Sequence, residues 1–125
     1  MFLTEFIKFL KKVIKKLEKQ YKTTIYFTTI NTIMRIEFEK YVMYCEFCNS
    51  NISYEDVTNA ISHYQKCFSE ITSKTTRYCI FSRSSLIDGE IETYAKNNNI
   101  GVEYVFSTPI QMMNSIEIYF QKFLR

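Results

Sequence analysis

Over positions 2–21 apolar side chains return at Leu3, Phe6, Ile7, Leu10, Val13, Ile14, Leu17 and Tyr21, the three-and-four spacing that gathers them on one stripe of a helix. The pattern predicts an amphipathic helix, with Thr4 capping its first turn and Glu5 beside its positive end. Positions 23–30, TTIYFTTI, are rich in β-branched and aromatic residues and predict a strand, broken by Asn31-Thr32. Between 33 and 47 the period falls to two. Met34, Ile36 and Phe38 share a face against Arg35, Glu37 and Glu39, and Met43, Cys45 and Phe47 share one against the mostly polar Val42, Tyr44 and Glu46. A hairpin turning at Lys40-Tyr41 would set Ile36 opposite Cys45, Arg35 opposite Glu46 and Glu37 opposite Tyr44. That turn contains no Gly or Asn, so a register shifted by two stays open.

Apolar or small residues at Val57, Ala60, Ile61, Tyr64, Phe68 and Ile71 predict a second helix over 53–71, with Ser53 and Asp56 as a capping box. The run 78–82, YCIFS, reads as a buried strand. Ser85 with Asp88 would cap a third helix with Ile87, Ile91, Tyr94 and Ala95 inward despite Gly89, and Asn97, Asn98 and Asn99 would end it, because Asn tolerates left-handed backbone. A last strand is expected over 102–106. Thr108-Pro109 then opens a helix with Ile110, Met113, Ile116, Phe120 and Phe123 on its stripe. The order is αβββαβαβα: one α/β domain spanning 1–125, a small mixed sheet flanked by helices.

Composition agrees with that size. A 46% hydrophobic content over 125 residues builds one core without staples. Four cysteines with no signal-peptide pattern are expected to be reduced thiols in an intracellular protein. Charge changes the picture more. Residues 1–22 hold seven lysines against Glu5 and Glu18, a net +5, which leaves −2 for the rest of a chain whose total is +3. Such a face suits nucleic acid, an anionic surface or an acidic partner. A membrane-surface helix has the same periodicity, but with a full domain following, core packing is expected and no membrane contact. The binding candidates are Lys8, Lys11, Lys12, Lys15 and Lys16, with Arg77 and Arg83 flanking the 78–82 strand.

Two constellations carry candidate chemistry. Cys45-x2-Cys48 with His63-x3-Cys67 has ligand types suited to tetrahedral zinc, which would make the chain a C2HC interaction module. Against it, Cys45 falls on the apolar strand face. The second lies on the hairpin and begins with a family likeness. The helix with Glu5, the hairpin, the phrase YVMYCEFCNSNISYEDV and the later IFSRSSLIDGEIETYAKNNNIGVEY together resemble the Mrr-type branch of the restriction-endonuclease-like PD-(D/E)XK nucleases. The resemblance implies that fold, and a site in which an Asp and a Glu or Gln bind a divalent ion while a Lys two residues on orients the attacking water.

Carried over position by position, the Asp falls on Arg35, the Glu or Gln on Tyr44 and the Lys on Glu46; only Glu5 matches a recurrent family acid. A cation where the metal belongs repels it, and Arg35 is expected to pair with Glu46. The resemblance therefore implies a catalytically degenerate nuclease-like domain, without a cofactor. It would bind nucleic acid, DNA first, or serve as an assembly subunit of a nucleic-acid-handling complex, with a protein partner or a second copy meeting the apolar-rich C-terminal helix. The active alternative is an Mg²⁺-dependent DNA endonuclease using Glu5, Glu37 and Glu46.

Overall fold

The computed structural model describes residues 3–67, 73–83, 88–105 and 108–125. Expectations falling on Phe2, Phe68, Ile71, Ser85, Ile87 and Phe106 lie outside the described residues. The elements are α1 (Leu3–Tyr21), β1 (Tyr26–Ile30), β2 (Ile33–Glu37), β3 (Tyr41–Cys48), α2 (Tyr54–Cys67), β4 (Thr75–Ser82), α3 (Gly89–Asn97), β5 (Ile100–Tyr104) and α4 (Pro109–Gln121). The order is αβββαβαβα, as the periodicities predict.

The sheet runs β1-β2-β3-β4-β5. Its first three strands are antiparallel, and β3, β4 and β5 are parallel. The parallel strands advance in one direction, so right-handed crossovers put α2 and α3 on the same side. The other side belongs to α1 and α4. There Phe6, Leu10, Leu17, Met43, Cys45, Phe81, Ile116 and Phe120 form the larger core, each completely buried. A smaller core under α2 and α3 joins Val42, Tyr44, Val57, Ala60, Tyr78, Ile80, Ile91 and Ala95.

Several local expectations change. The hairpin turns at Glu39-Lys40, closed by Phe38 N–H donating to Tyr41 O at 2.8 Å. Arg35 therefore lies opposite Tyr44, Ile36 opposite Met43 and Glu37 opposite Val42, the register shifted by two. The loop is two residues long in either register, and the observed one still pairs apolar with apolar, Ile36 with Met43 and Met34 with Cys45. The β3 face read as mostly polar is half core, since Val42 and Tyr44 are buried. Thr4 is inside α1 and is not its cap. Asp88 is itself the N-cap of α3, accepting from Glu90 N–H, so Gly89 opens the helix and weakens no interior turn. β4 begins at Thr75, earlier than the apolar run indicates, and β5 begins at Ile100. On α4, Met112 is buried and Ile110 is 71% exposed, so the buried stripe begins two residues later than expected. The Ser53–Asp56 capping box, the Thr108 cap with Pro109 in the first turn and the left-handed Asn99 (φ 61°) are as expected.

Candidate functional site

Alternation along β3 sends Tyr44, Glu46 and Cys48 toward α2, and α2 begins at Tyr54, so its first turns stand beside the C-terminal end of the strand. The capping box fixes that start: Asp56 Oδ2 accepts from Ser53 N–H at 2.8 Å, and Asp56 N–H donates to Ser53 Oγ at 3.1 Å. Two polar clusters result. In the first, Glu37 lies 2.9 Å from Arg35 Nη1 and 2.7 Å from Lys74 Nζ. Lys74 also donates to Phe38 O. The Lys74 hydrogen bond, and then that of Arg35, hold the Glu37 carboxyl below its ordinary range. The Arg35 guanidinium lies over the Tyr44 ring at 5.9 Å, and its Nε is 3.4 Å from the Tyr44 hydroxyl.

The second cluster surrounds Glu46. The Tyr78 hydroxyl donates to Glu46 Oε2 at 2.6 Å, and His63 Nδ1 stands 3.2 Å from Oε1. Facing a carboxylate, Nδ1 carries the ring proton. Burial first, and Glu46 second, push the Tyr78 phenol far above its ordinary value, so it stays a donor. One turn along α2, burial and then Glu46 raise the Cys67 thiol. His63 separates two open clefts. One, of about 410 Å³, is lined by Glu46, Cys48, Asp56 and Asn59; the other, of about 590 Å³, by Ile30, Asn31, Ile33, Tyr44, Lys66 and Cys67.

The expected sites assemble only in part. Arg35, Glu37, Tyr44 and Glu46 do share one face of the hairpin, but the carboxylate partner of Arg35 at 2.9 Å is Glu37, and Glu46 is engaged by Tyr78 and His63. Register decides this, because Tyr44 rather than Glu46 lies opposite Arg35, and Glu46 is two residues further along β3. Glu5 is exposed on α1, in the other layer, so Glu5, Glu37 and Glu46 do not converge. The zinc set is split as well. Cys45 belongs to the α1–α4 core, where burial pushes its thiol well up, while Cys48 and Cys67 adjoin the α2–α3 core. Cys48 Sγ points into the capping loop, 3.2 Å from Ser50 O. Among the described residues no three His, Cys, Asp or Glu side chains are gathered as metal ligands.

Lys8, Lys11, Lys12, Lys15 and Lys16 are all exposed on α1. Lys16 reaches Glu117 at 3.0 Å, and Lys11 lies over the Phe27 ring at 5.5 Å. Arg77 and Arg83 do not form one patch with each other. They sit at the start of β4 and just past its end, about 20 Å apart along a strand, with Arg77 over Tyr41 and Arg83 donating to Asn49. The Glu46–Tyr78–His63 network was not visible in sequence: its members come from three elements, and only Glu46 lay on a face already singled out.

Among the described residues no helix is long and apolar enough to cross a membrane. No family model matches the chain, and no curated protein or solved structure does. The class defined by fold and site is an α/β domain with a five-stranded mixed sheet between two helical layers, a lysine-rich outer helix and a polar cleft beside β3.

Proposed function

We propose that this chain is a restriction-endonuclease-like domain without nuclease chemistry, and that it holds nucleic acid by its phosphates, duplex DNA first. One observation carries the reading. At about 100° per residue, Lys8, Lys11, Lys12, Lys15, Lys16 and Lys19 fall within an arc of about 140°, centred opposite the buried stripe of Phe6, Leu10, Val13 and Leu17. They extend over about 17 Å of helix. A basic ridge of this kind neutralises phosphates and releases their counterions without reading bases. The element order and the mixed sheet support the nuclease-like part of the reading. The degenerate part is supported by Arg35 and Tyr44 standing where metal-binding acids would be, and by Glu46 standing where a lysine would be.

The test is duplex binding followed by fluorescence anisotropy across a salt series. The expected dissociation constant rises steeply with salt, with a log–log slope of about 0.9 per phosphate contacted. The K8E/K12E/K15E variant is expected to lose binding while keeping its fold. Affinity indifferent to salt, or retained by that variant, rejects the reading. The chemistry is tested separately with Mg²⁺ or Mn²⁺ and several DNA forms. Wild-type cleavage abolished by Glu46→Ala would sink the degenerate-site reading; cleavage only by the R35D/E46K variant would support it.

A further inference from the structure

The strand β1 pairs with β2 and, among the described residues, with no other strand, so it is one edge of the sheet. Edge strands ordinarily discourage further pairing with charges, proline or bulges. β1 has none of these: it reads Tyr26-Phe27-Thr28-Thr29-Ile30, uncharged, and pairs with β2 residue for residue. Tyr26 is 61% exposed and Ile30 54%. Both project on the α2 side of the sheet, as do Arg35 and Glu37, because directly paired residues share a face.

The backbone adds a second constraint. Ile30 and Ile33 flank the two-residue loop Asn31-Thr32, with Asn31 left-handed at φ 56°, as a tight hairpin requires. The loop-flanking pair is a hydrogen-bonded one, and such pairs alternate along an antiparallel ladder. Tyr26, Thr28 and Ile30 therefore turn their N–H and C=O groups toward β2, and Phe27 and Thr29 turn theirs outward.

We propose that the occupant of this edge is a second copy of the chain, joined by antiparallel β1–β1 pairing about a two-fold axis at Thr28. In that register Phe27 meets Thr29 of the partner subunit and the reverse, so all the outward groups of both residues pair. Tyr26 meets Ile30 of the partner subunit in a closely spaced pair, the aromatic and β-branched combination that stabilises neighbouring strands. Thr28 meets itself. Any extended strand could make the backbone pairing; what favours a second copy is the side-chain match of Tyr26 with Ile30 and of Thr28 with itself about the axis. The axis is perpendicular to the sheet, so the five-stranded sheets join into one of ten strands with both α1 helices on the same side. Tyr26 of the partner subunit then stands beside the cleft lined by Ile30, Ile33, Tyr44 and His63.

Sedimentation equilibrium over a hundredfold range of concentration tests this. The expected mass rises from the 15.0 kDa monomer toward twice that value. Thr28→Lys sets like charges against each other on the axis and is expected to weaken the dimer at least about tenfold. Thr29→Pro removes an outward donor without touching the β2 ladder, and is expected to do the same. Circular dichroism confirms that both variants remain folded. T28C, mildly oxidised, is expected to cross-link the dimer, and Phe27 and Thr29 amides are expected to gain exchange protection as concentration rises. A protein monomeric throughout, or a dimer unaffected by Thr28→Lys and Thr29→Pro, overturns the proposal.

Discussion

Met43 and Cys45, on one face of β3, are completely buried against α1 and α4, among tilted and edge-on phenylalanines such as Phe6, Phe81 and Phe120. On the other face Tyr44 is buried too, yet Glu46 and Cys48 beyond it border open clefts, where Tyr78 and His63 engage Glu46 and the capping loop engages Cys48. One strand thus serves two environments. The α1–α4 face is stabilised mainly by area and close packing, spread over many contacts. The α2 face is stabilised by directed contacts, which a single atom or proton can undo.

The largest effect is expected where packing alone operates. Phe81→Ala empties a site touched by Phe6, Tyr119 and Phe120, and should lose about 3–5 kcal/mol in urea unfolding. Glu46→Leu removes the acceptor of the buried Tyr78 hydroxyl and should lose about 1–3 kcal/mol, with Glu46→Gln losing less because it keeps an acceptor. Equal losses from Phe81→Ala and Glu46→Leu would erase the contrast between the faces. Ser53→Ala opens the capping box that starts α2 and should cost about 1 kcal/mol, read from the same denaturant midpoints.

The smallest effect separates the faces by sign. The Lys74 and Arg35 contacts lower Glu37, so its contribution to stability is present above the ordinary carboxylate range and is lost as pH falls through its depressed value. Glu103 is paired with Phe81 in the sheet and so lies on the α4 side, where burial, opposed by Lys122, raises it. Its contribution is present at acid pH and is lost as pH rises through the raised value. Thermal unfolding across the acid range should show Glu37→Gln flattening the loss of stability on acidification. Glu103→Gln should remove the opposite slope. The same sign from both variants would contradict the assignment of one carboxylate to each environment.

Much of the architecture was legible because it rests on local rules. The alternation of Met34, Ile36 and Phe38, the Ser53–Asp56 box, the Thr108-Pro109 start and the Asn97–Asn99 stop each act within a few residues, and each appears as the sequence indicates. The candidate site was legible only as a list. That Arg35, Glu37, Tyr44 and Glu46 share a face follows from the period of two; which of them touch depends on a shift of two residues that leaves the period unchanged.

The stretch from Tyr41 to Cys48 holds both lessons. Sequence alone determined that it is a strand, that Cys45 joins the core and that Glu46 does not, since alternation is a property of the backbone. Only the tertiary structure decided that Glu46 meets Tyr78 from β4 and His63 from α2, and that Glu37 takes Arg35 and Lys74. Tyr78 is 32 residues from Glu46 and Lys74 is 37 from Glu37, and no local signal encodes their approach. Hairpin register and the packing of α2 against the sheet set it.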